Sequence, residues 1–392
     1  MPVVNMHDML QHAHREGYAV GAFDLVSLDF LQGILAAAEN CRAPVILSLA
    51  ESHFEYFDFT TIMPAVEAAA KRASVPVAIH LDHGASFESA VQGIRLGCNG
   101  VMVDASTHPF EANVARTREV VDMAHNCGIP VEGELGYVAG VEGEDAERHP
   151  GEVRYTEVAE AKAYVEQSGV DFLAVSIGTV HGRMKGEPKL DFARLGEINQ
   201  GLCIPLVIHG GTGLSDDQFR QLIENGVAKI NYYTALADAA GQCIRDNAGK
   251  DSNCGYTGLV SGVAQAIQNE TERCIKLWGG EGRADEVLAS AAAQREIEHV
   301  IFYNTKGIDK DKVEELMRIG HDSLGKIPGV RRVFTGHALT QDARFKHCWV
   351  IKFSDESVVE SYKNHPDHVA YADTHFRPVA GDRISIDFES AD

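Results

Sequence analysis

Three histidines carry the first chemical signal in this chain. His83 lies in Ile79-His-Leu-Asp-His-Gly84, His181 in Ser176-Ile-Gly-Thr-Val-His-Gly182 and His209 in Val207-Ile-His-Gly-Gly-Thr-Gly213, each at the end of a predicted strand and each followed by glycine. Singly, any of them also reads as a hydrogen-bonded residue at a strand end. Together, three histidines with an open fourth position form the donor set of a catalytic divalent ion. Zinc is the first expectation and another divalent metal the second, with a substrate oxygen meeting the ion as a Lewis acid. Glu134, in Val131-Glu-Gly-Glu-Leu-Gly136, could complete or exchange in that shell. Asp104 reads as a rim carboxylate or as a cap for the next helix. Asp24 and Glu132 are secondary carboxylate candidates. His7, His12 and His14 read as exposed helix residues.

A second pattern suits an anion. Gly210, Gly211 and Thr212 follow His209 directly, and Gly182 follows His181. Glycine lets backbone N–H groups approach a phosphate closely, and a helix N-terminus adds favourable partial charge. Lys185 could add a formal charge, while Asn231 and Thr234 fall at the end of the last strand and the start of the next helix.

These residues need a scaffold that brings distant segments together. Apolar runs at 19–23, 45–49, 77–81, 101–103, 131–135, 172–177, 206–208 and 228–230 alternate with amphipathic stretches of helical length. Eight such βα units predict a closed (β/α)8 barrel, in which every strand C-terminus opens on one rim. An open doubly wound sheet is the alternative, weakened by the lack of a Gly-x-Gly-x-x-Gly turn after an early strand. From Ile297 the order becomes β-α-β-β-α-β, which predicts a small ferredoxin-like α+β module with one open sheet face suited to dimerisation. The expected division is therefore a barrel over 1–285, a linker over 286–296 and a second module over 297–392.

Composition narrows the partners. The 392 residues carry a net charge of −22, of which −19 falls in the first 296 residues and −3 in the rest. That balance argues against nucleic acid and anionic membrane as partners, so a bound phosphate would depend on local donors. No apolar run reaches membrane-spanning length, and the first residues lack a signal-peptide layout, so a cytoplasmic protein is expected. The eight cysteines show no Cys-x-x-Cys spacing and read as reduced packing residues.

Taken as a set, Leu81-Asp-His83, Val131-Glu-Gly-Glu-Leu135, Gly178-Thr-Val-His-Gly182, Gly186-Glu-Pro-Lys-Leu-Asp191, His209-Gly-Gly-Thr-Gly213, Lys229-Ile-Asn231 and Gly280-Glu-Gly-Arg-Ala284 resemble the class II, zinc-dependent ketose-bisphosphate aldolases. The resemblance implies that His83, His181 and His209 hold zinc, with Glu134 as the exchangeable carboxylate. It implies Asp82 as acid/base at the C4 hydroxyl and Asn231 as a stabiliser of the enediolate. Glu142, in Gly140-Val-Glu-Gly143, falls where the family's mobile loop carries the residue that moves the C3 proton. A monovalent cation beside the divalent one is compatible with it. A Schiff-base aldolase would need a lysine on an inner strand, for which Lys229 is the rim-proximal candidate. The implied substrate is a phosphorylated ketose, and the implied assembly a homo-oligomer, dimer or tetramer.

The chain departs from that family at Asp24, where Asn is usual, and at Ser48-Leu-Ala50, Thr212, Tyr232 and Tyr233. These changes are expected near the phosphate and hydroxymethyl end of the substrate, with Tyr233 reshaping the donor pocket. Residues from about 297 to 390 resemble stress-responsive A/B barrel domains, through His299-Val-Ile-Phe302, Ile327-Pro-Gly-Val330 and Tyr362-Lys-Asn-His-Pro-Asp-His368. Related plant cyclases use residues matching Tyr362, His347 and His368, but dimerisation or pocket covering is the preferred reading here. Two other functions remain open: an isomerase or epimerase using the same enediolate, and a non-catalytic barrel scaffold.

Overall fold

The computed structural model describes residues 2–146, 154–183, 188–251 and 253–389. Strands are β1 (Val20–Asp24), β2 (Val45–Ala50), β3 (Val77–Gly84), β4 (Gly100–Val103), β5 (Val131–Leu135), β6 (Gly140–Asp145), β7 (Phe172–Val175), β8 (His181–Arg183), β9 (Leu206–Ile208), β10 (Val227–Tyr232), β11 (Ile297–Thr305), β12 (Val330–His337), β13 (His347–Phe353) and β14 (Ala380–Glu389). Eight of them close into a parallel barrel in the order β1-β10-β9-β7-β5-β4-β3-β2. The expected closed barrel is thereby observed, and the alternative open sheet is not. The chain divides into two compact units, with the main break between Ala293 and Gln294.

Why these runs form parallel strands follows from burial. Every residue of β2 and β10 is buried, as expected where helices cover the outer face and neighbouring side chains fill the inner one. Inside, the barrel has two chemically different levels. Val20, Ala22, Ile46, Ala78, Phe172, Ala174, Val207 and Ala228 form an apolar floor with Met6, Met9, Leu10 and Ala13 of the helix Met6–Glu16. Asn5 caps that helix by accepting from the N–H groups of His7 and Asp8, and Gly17 ends it at a φ of 69°. Met6 fits because Gly100 has no side chain; a Cβ there would collide with the Met6 sulfur. His12 corrects the expectation of exposure: it is 5% exposed and its Nδ1 lies 3.0 Å from the Tyr18 hydroxyl. Above the floor, at the strand C-termini, the inward residues turn polar: Asp24, Ser48, His80, Asp82, Glu132, Glu134, Lys229 and Asn231 are all buried.

The second unit is a four-stranded antiparallel sheet in the order β12-β13-β11-β14. Helices Lys310–Leu324, Ser357–Asn364 and Pro366–Tyr371 bury Val313, Leu316, Leu324, Val358, Tyr362 and Tyr371 with Trp349, Ile351 and Phe353 of β13. Alternation then places Phe302, Phe334, Ile384 and Ile386 on the opposite face, where they are exposed. None of the eight cysteines forms a disulfide. Among the described residues, no helix is long and apolar enough to cross a membrane.

Candidate active site

β3 presents two neighbouring residues to the interior by breaking its own register. Alternation directs His80 and Asp82 inward, which would send His83 outward. The β3–β4 pairing shifts between Leu81 and Gly84, and His83 takes a φ of 47°, unusual for a residue with a Cβ. His83 consequently faces the same rim as His209, which follows β9, and His181, which opens β8. Gly210, at a φ of 71°, follows His209 closely past the Val180 carbonyl, where a Cβ would collide.

One ring nitrogen from each of His83, His181 and His209 lies within 4.8 Å of the others. The His83 Nε2 and His209 Nδ1 atoms are 2.9 Å apart. Each remaining nitrogen has an acceptor of its own. His83 Nδ1 is 2.9 Å from Asp104 Oδ2, His209 Nε2 is 2.9 Å from Glu132 Oε1, and His181 Nδ1 is 3.2 Å from the Val138 carbonyl. Such outer partners fix ring orientation and tautomer in metal sites. His181 Nε2 and Glu134 Oε2 are buried without a hydrogen bond, a costly arrangement unless a further group joins them. The donor set therefore fits a divalent cation. Glu134 also groups with His83 and Asp104 in a second set able to hold one.

The electrostatics sort these groups. Burial lowers His181 to about 3, so its ring is neutral, and raises Glu134 to about 7, with Asp104 adding to the effect. Burial would also raise Asp82, but His83, His209 and Lys229 overcome it and hold the carboxyl well below the usual carboxylate range. The Asn231 amide nitrogen donates to Asp82 Oδ1 at 3.0 Å and Oδ2 at 2.9 Å. Its NH2 is thus directed at Asp82 in this structure.

On the phosphate side, Thr212 Oγ1 accepts from the Ala235 N–H, and Thr234 Oγ1 accepts from the Gly143 N–H at 3.0 Å. Gly182 has a φ of 85°, and the helix Thr234–Lys250 begins without a side-chain cap. Gly211 lies beside Ile230 and the Asn231 carbonyl. Lys185 lies outside the described residues. So does the Glu142 side chain, though its strand β6 pairs with β8, and Arg183 donates to the Gly143 carbonyl at 2.8 Å.

Of the departures, Tyr233 and Tyr232 separate. Tyr233 packs at a tilt against His53, with ring centroids 4.3 Å apart, and stands beside Gly143. Tyr232 leaves the site altogether. As the outward neighbour of Asn231 on β10, it packs on Trp278 and donates to Glu270 at 2.9 Å. Sequence reasoning passed over His80 as a site group and the tie between Glu132 and His209. The signal available was the period of two in His80/Asp82, Glu132/Glu134 and Lys229/Asn231, which places polar pairs on one inward face.

A closed parallel barrel whose rim gathers three histidines and buried carboxylates defines a barrel enzyme with a metal-type centre. Residues 4–283 match the family described as fructose-bisphosphate aldolase class-II, and residues 297–390 match the stress responsive A/B barrel domain. The chain is 45% identical over 249 residues to a probable fructose-bisphosphate aldolase of Bacillus subtilis, covering 63% of this chain and 86% of that one. It is 41% identical over 288 residues to a fructose-bisphosphate aldolase of Staphylococcus aureus, covering 72% and 100%. The crystal structure of the YdjI aldolase from Escherichia coli K12 superposes with a TM-score of 0.65 at 33% identity, covering 72% of this chain and 99% of that one. The chain belongs to the class II fructose-bisphosphate aldolase family, and it carries an A/B barrel domain after the barrel. It is an aldolase, a carbon–carbon lyase; the isomerase and scaffold readings are not favoured.

Proposed function

We propose that the chain reversibly cleaves a phosphorylated ketose into a dihydroxyacetone-phosphate-like donor and an aldehyde, with a divalent ion, zinc first, held by His83, His181 and His209. The convergence of three ring nitrogens beside the Asp82–Asn231 pair carries this reading. A bound ion would supply Lewis-acid stabilisation of the charge that develops on the ketone side, an effect of several kcal/mol. Asp82, ionised and held by Asn231, takes the C4 hydroxyl proton as the C3–C4 bond breaks. Glu142 returns a proton to C3 from its position on β6. Gly182, Lys185, Gly210, Gly211, Thr212 and Thr234 bind the phosphate, largely through backbone N–H groups, and Tyr233 shapes the donor end. The departures at Asp24, Thr212 and Tyr233 favour a substrate other than fructose or tagatose bisphosphate. Glu134 is the exchangeable ligand, and a monovalent cation is an optional companion.

The proposed modules are 1–285 and 297–392 joined by 286–296, working in the cytoplasm as a dimer or tetramer through the apolar outer face of the second sheet. The test is metal content of the purified chain together with chelator-sensitive release of triose phosphate from a panel of ketose phosphates. Zinc without cleavage of any ketose phosphate would defeat the proposal, as would cleavage insensitive to chelation.

A further inference from the structure

Lys229 is fully buried inside the barrel, and its ammonium makes three separate approaches. Nζ lies 2.7 Å from Glu132 Oε2, 2.7 Å from Asn231 Oδ1 and 4.0 Å from Asp82 Oδ1. An ammonium donates and never accepts, so the Asn231 oxygen must face Lys229. The Asn231 NH2 is then forced toward Asp82, where it donates to both carboxylate oxygens. Were the amide reversed, its single oxygen would face both Asp82 carboxylate oxygens and the ammonium would face an NH2. Both contacts would become repulsive.

The second arm runs to the histidines. Glu132 Oε2 forms an ion pair with Lys229 at 2.7 Å and Oε1 lies 2.9 Å from His209 Nε2, so the two oxygens of one carboxylate face the lysine and the histidine. With Nε2 so held, His209 presents Nδ1 toward His83. His80 stands 3.5 Å from Glu132 and 3.8 Å from Asp82 but makes no hydrogen bond, so it does not substitute for the lysine. A single internal cation therefore touches the network that sets the proton-transfer carboxylate and the network that sets a metal-ligand histidine. It is also unsuited to Schiff-base chemistry, because an ammonium paired with Glu132 and donating to Asn231 has no lone pair for a ketone.

We propose that Lys229 is a positioning residue that couples the Asp82–Asn231 pair to the His209 side of the metal centre. This deepens the aldolase reading and rests on it for the role of Asp82. The rival explanation is that Lys229 only neutralises Glu132 in a water-free core, where an unpaired charge is strongly unfavourable. A double-mutant cycle on the full-length chain separates the two. Zinc affinity by chelator competition, thermal stability, kcat and KM are measured for the wild type, Lys229→Met, Glu132→Gln and the double variant.

Coupling predicts that Lys229→Met weakens zinc binding about 10- to 100-fold, as loss of an outer-shell contact does. At saturating zinc it should lower kcat by about 100-fold with KM changed less than about threefold. In the double variant, stability recovers because no orphaned carboxylate remains, yet kcat stays at least about tenfold below that of Glu132→Gln alone, because Asn231 is no longer oriented. If the double variant matches Glu132→Gln in kcat, Lys229 is a counterion only and the proposal is overturned. Unchanged zinc affinity in Lys229→Met would overturn it as well. Should Lys229→Met fail to fold, the double variant against Glu132→Gln still decides. Should the wild type cleave no ketose phosphate, the aldolase reading fails, while the zinc measurement still tests the link from Lys229 to His209.

Discussion

Two regions of this chain are rich in histidine, and they use it differently. On the barrel rim, His83, His181 and His209 each give one nitrogen to a fixed acceptor and turn the other toward a common point. In the C-terminal domain, His299 pairs with Asp387 at 2.5 Å, His337 with His347 at 3.0 Å, and His368 with the Lys363 carbonyl at 3.0 Å. Those contacts satisfy their histidines one by one. Among the described residues, none of the second group joins a set of three metal-capable side chains. Residue type is shared, but convergence belongs to the barrel, where parallel strands end on one rim.

The sharpest way to break this contrast is to remove a convergent nitrogen. His209→Ala should abolish stoichiometric zinc binding and lower kcat/KM by about 10³-fold or more, since both the donor and the partner of Glu132 are lost. Metal analysis and a coupled triose-phosphate assay check it. Retention of one tightly bound zinc per chain would show that the three histidines are not its ligands. Asp104→Asn comes next. It keeps the shape but changes the acceptor that fixes His83, so zinc affinity should fall about 10- to 100-fold with the fold intact. Equal affinity in the variant would mean that Asp104 serves only the Ser106 turn, from whose N–H and hydroxyl it accepts.

How far the sequence alone reaches depends on which residues are asked. The eight strands were legible because their apolar runs are covered on both faces, a pattern that needs no tertiary knowledge. His83, His181 and His209 were legible because a barrel brings strand ends together whatever their spacing. Lys229 was visible as a lysine near the rim, but its role depends on which side chains stand opposite it across the barrel, and that is set by strand tilt and packing. His12 is buried against expectation because helical periodicity says which residues share a face and not which face is covered; here Tyr18 and Glu286 stand against it. The β6–β8 pair escaped notice because β8 is three residues long and β6 carries two glycines, at 140 and 143. Tyr232 was placed by adjacency to Asn231, whereas strand alternation sends it to the outer layer.

The floor offers a test of smaller effect. Gly100→Val forces a branched side chain into the space of the Met6 sulfur and beside His80. Overpacking of this kind should destabilise the barrel by about 1–3 kcal/mol. Denaturant unfolding would show it, with kcat preserved in the folded fraction, because the floor and the polar level are separate layers of the same strands. A large fall in kcat without loss of stability would show that the two levels are not independent.

The smallest effect is expected in the C-terminal domain. Tyr362 packs at a tilt against Phe353 and His368, with ring centroids 4.9 and 4.4 Å apart, and burial raises its hydroxyl far above the ordinary tyrosine value. A buried phenol so far from ionising is a poor proton donor, and His368 Nδ1 already donates to the Lys363 carbonyl. Both therefore read as packing residues of the helix-covered sheet face. Tyr362→Phe removes one hydroxyl and no ring, so ketose-phosphate cleavage should stay within about twofold of wild type and stability should change by less than about 1 kcal/mol. Steady-state kinetics and thermal unfolding on the same preparation check both numbers. A tenfold loss of cleavage with unchanged stability would put a working group in the region that the contrast assigns to structure, and the division between convergent and self-satisfied histidines would then no longer mark where the chemistry lies.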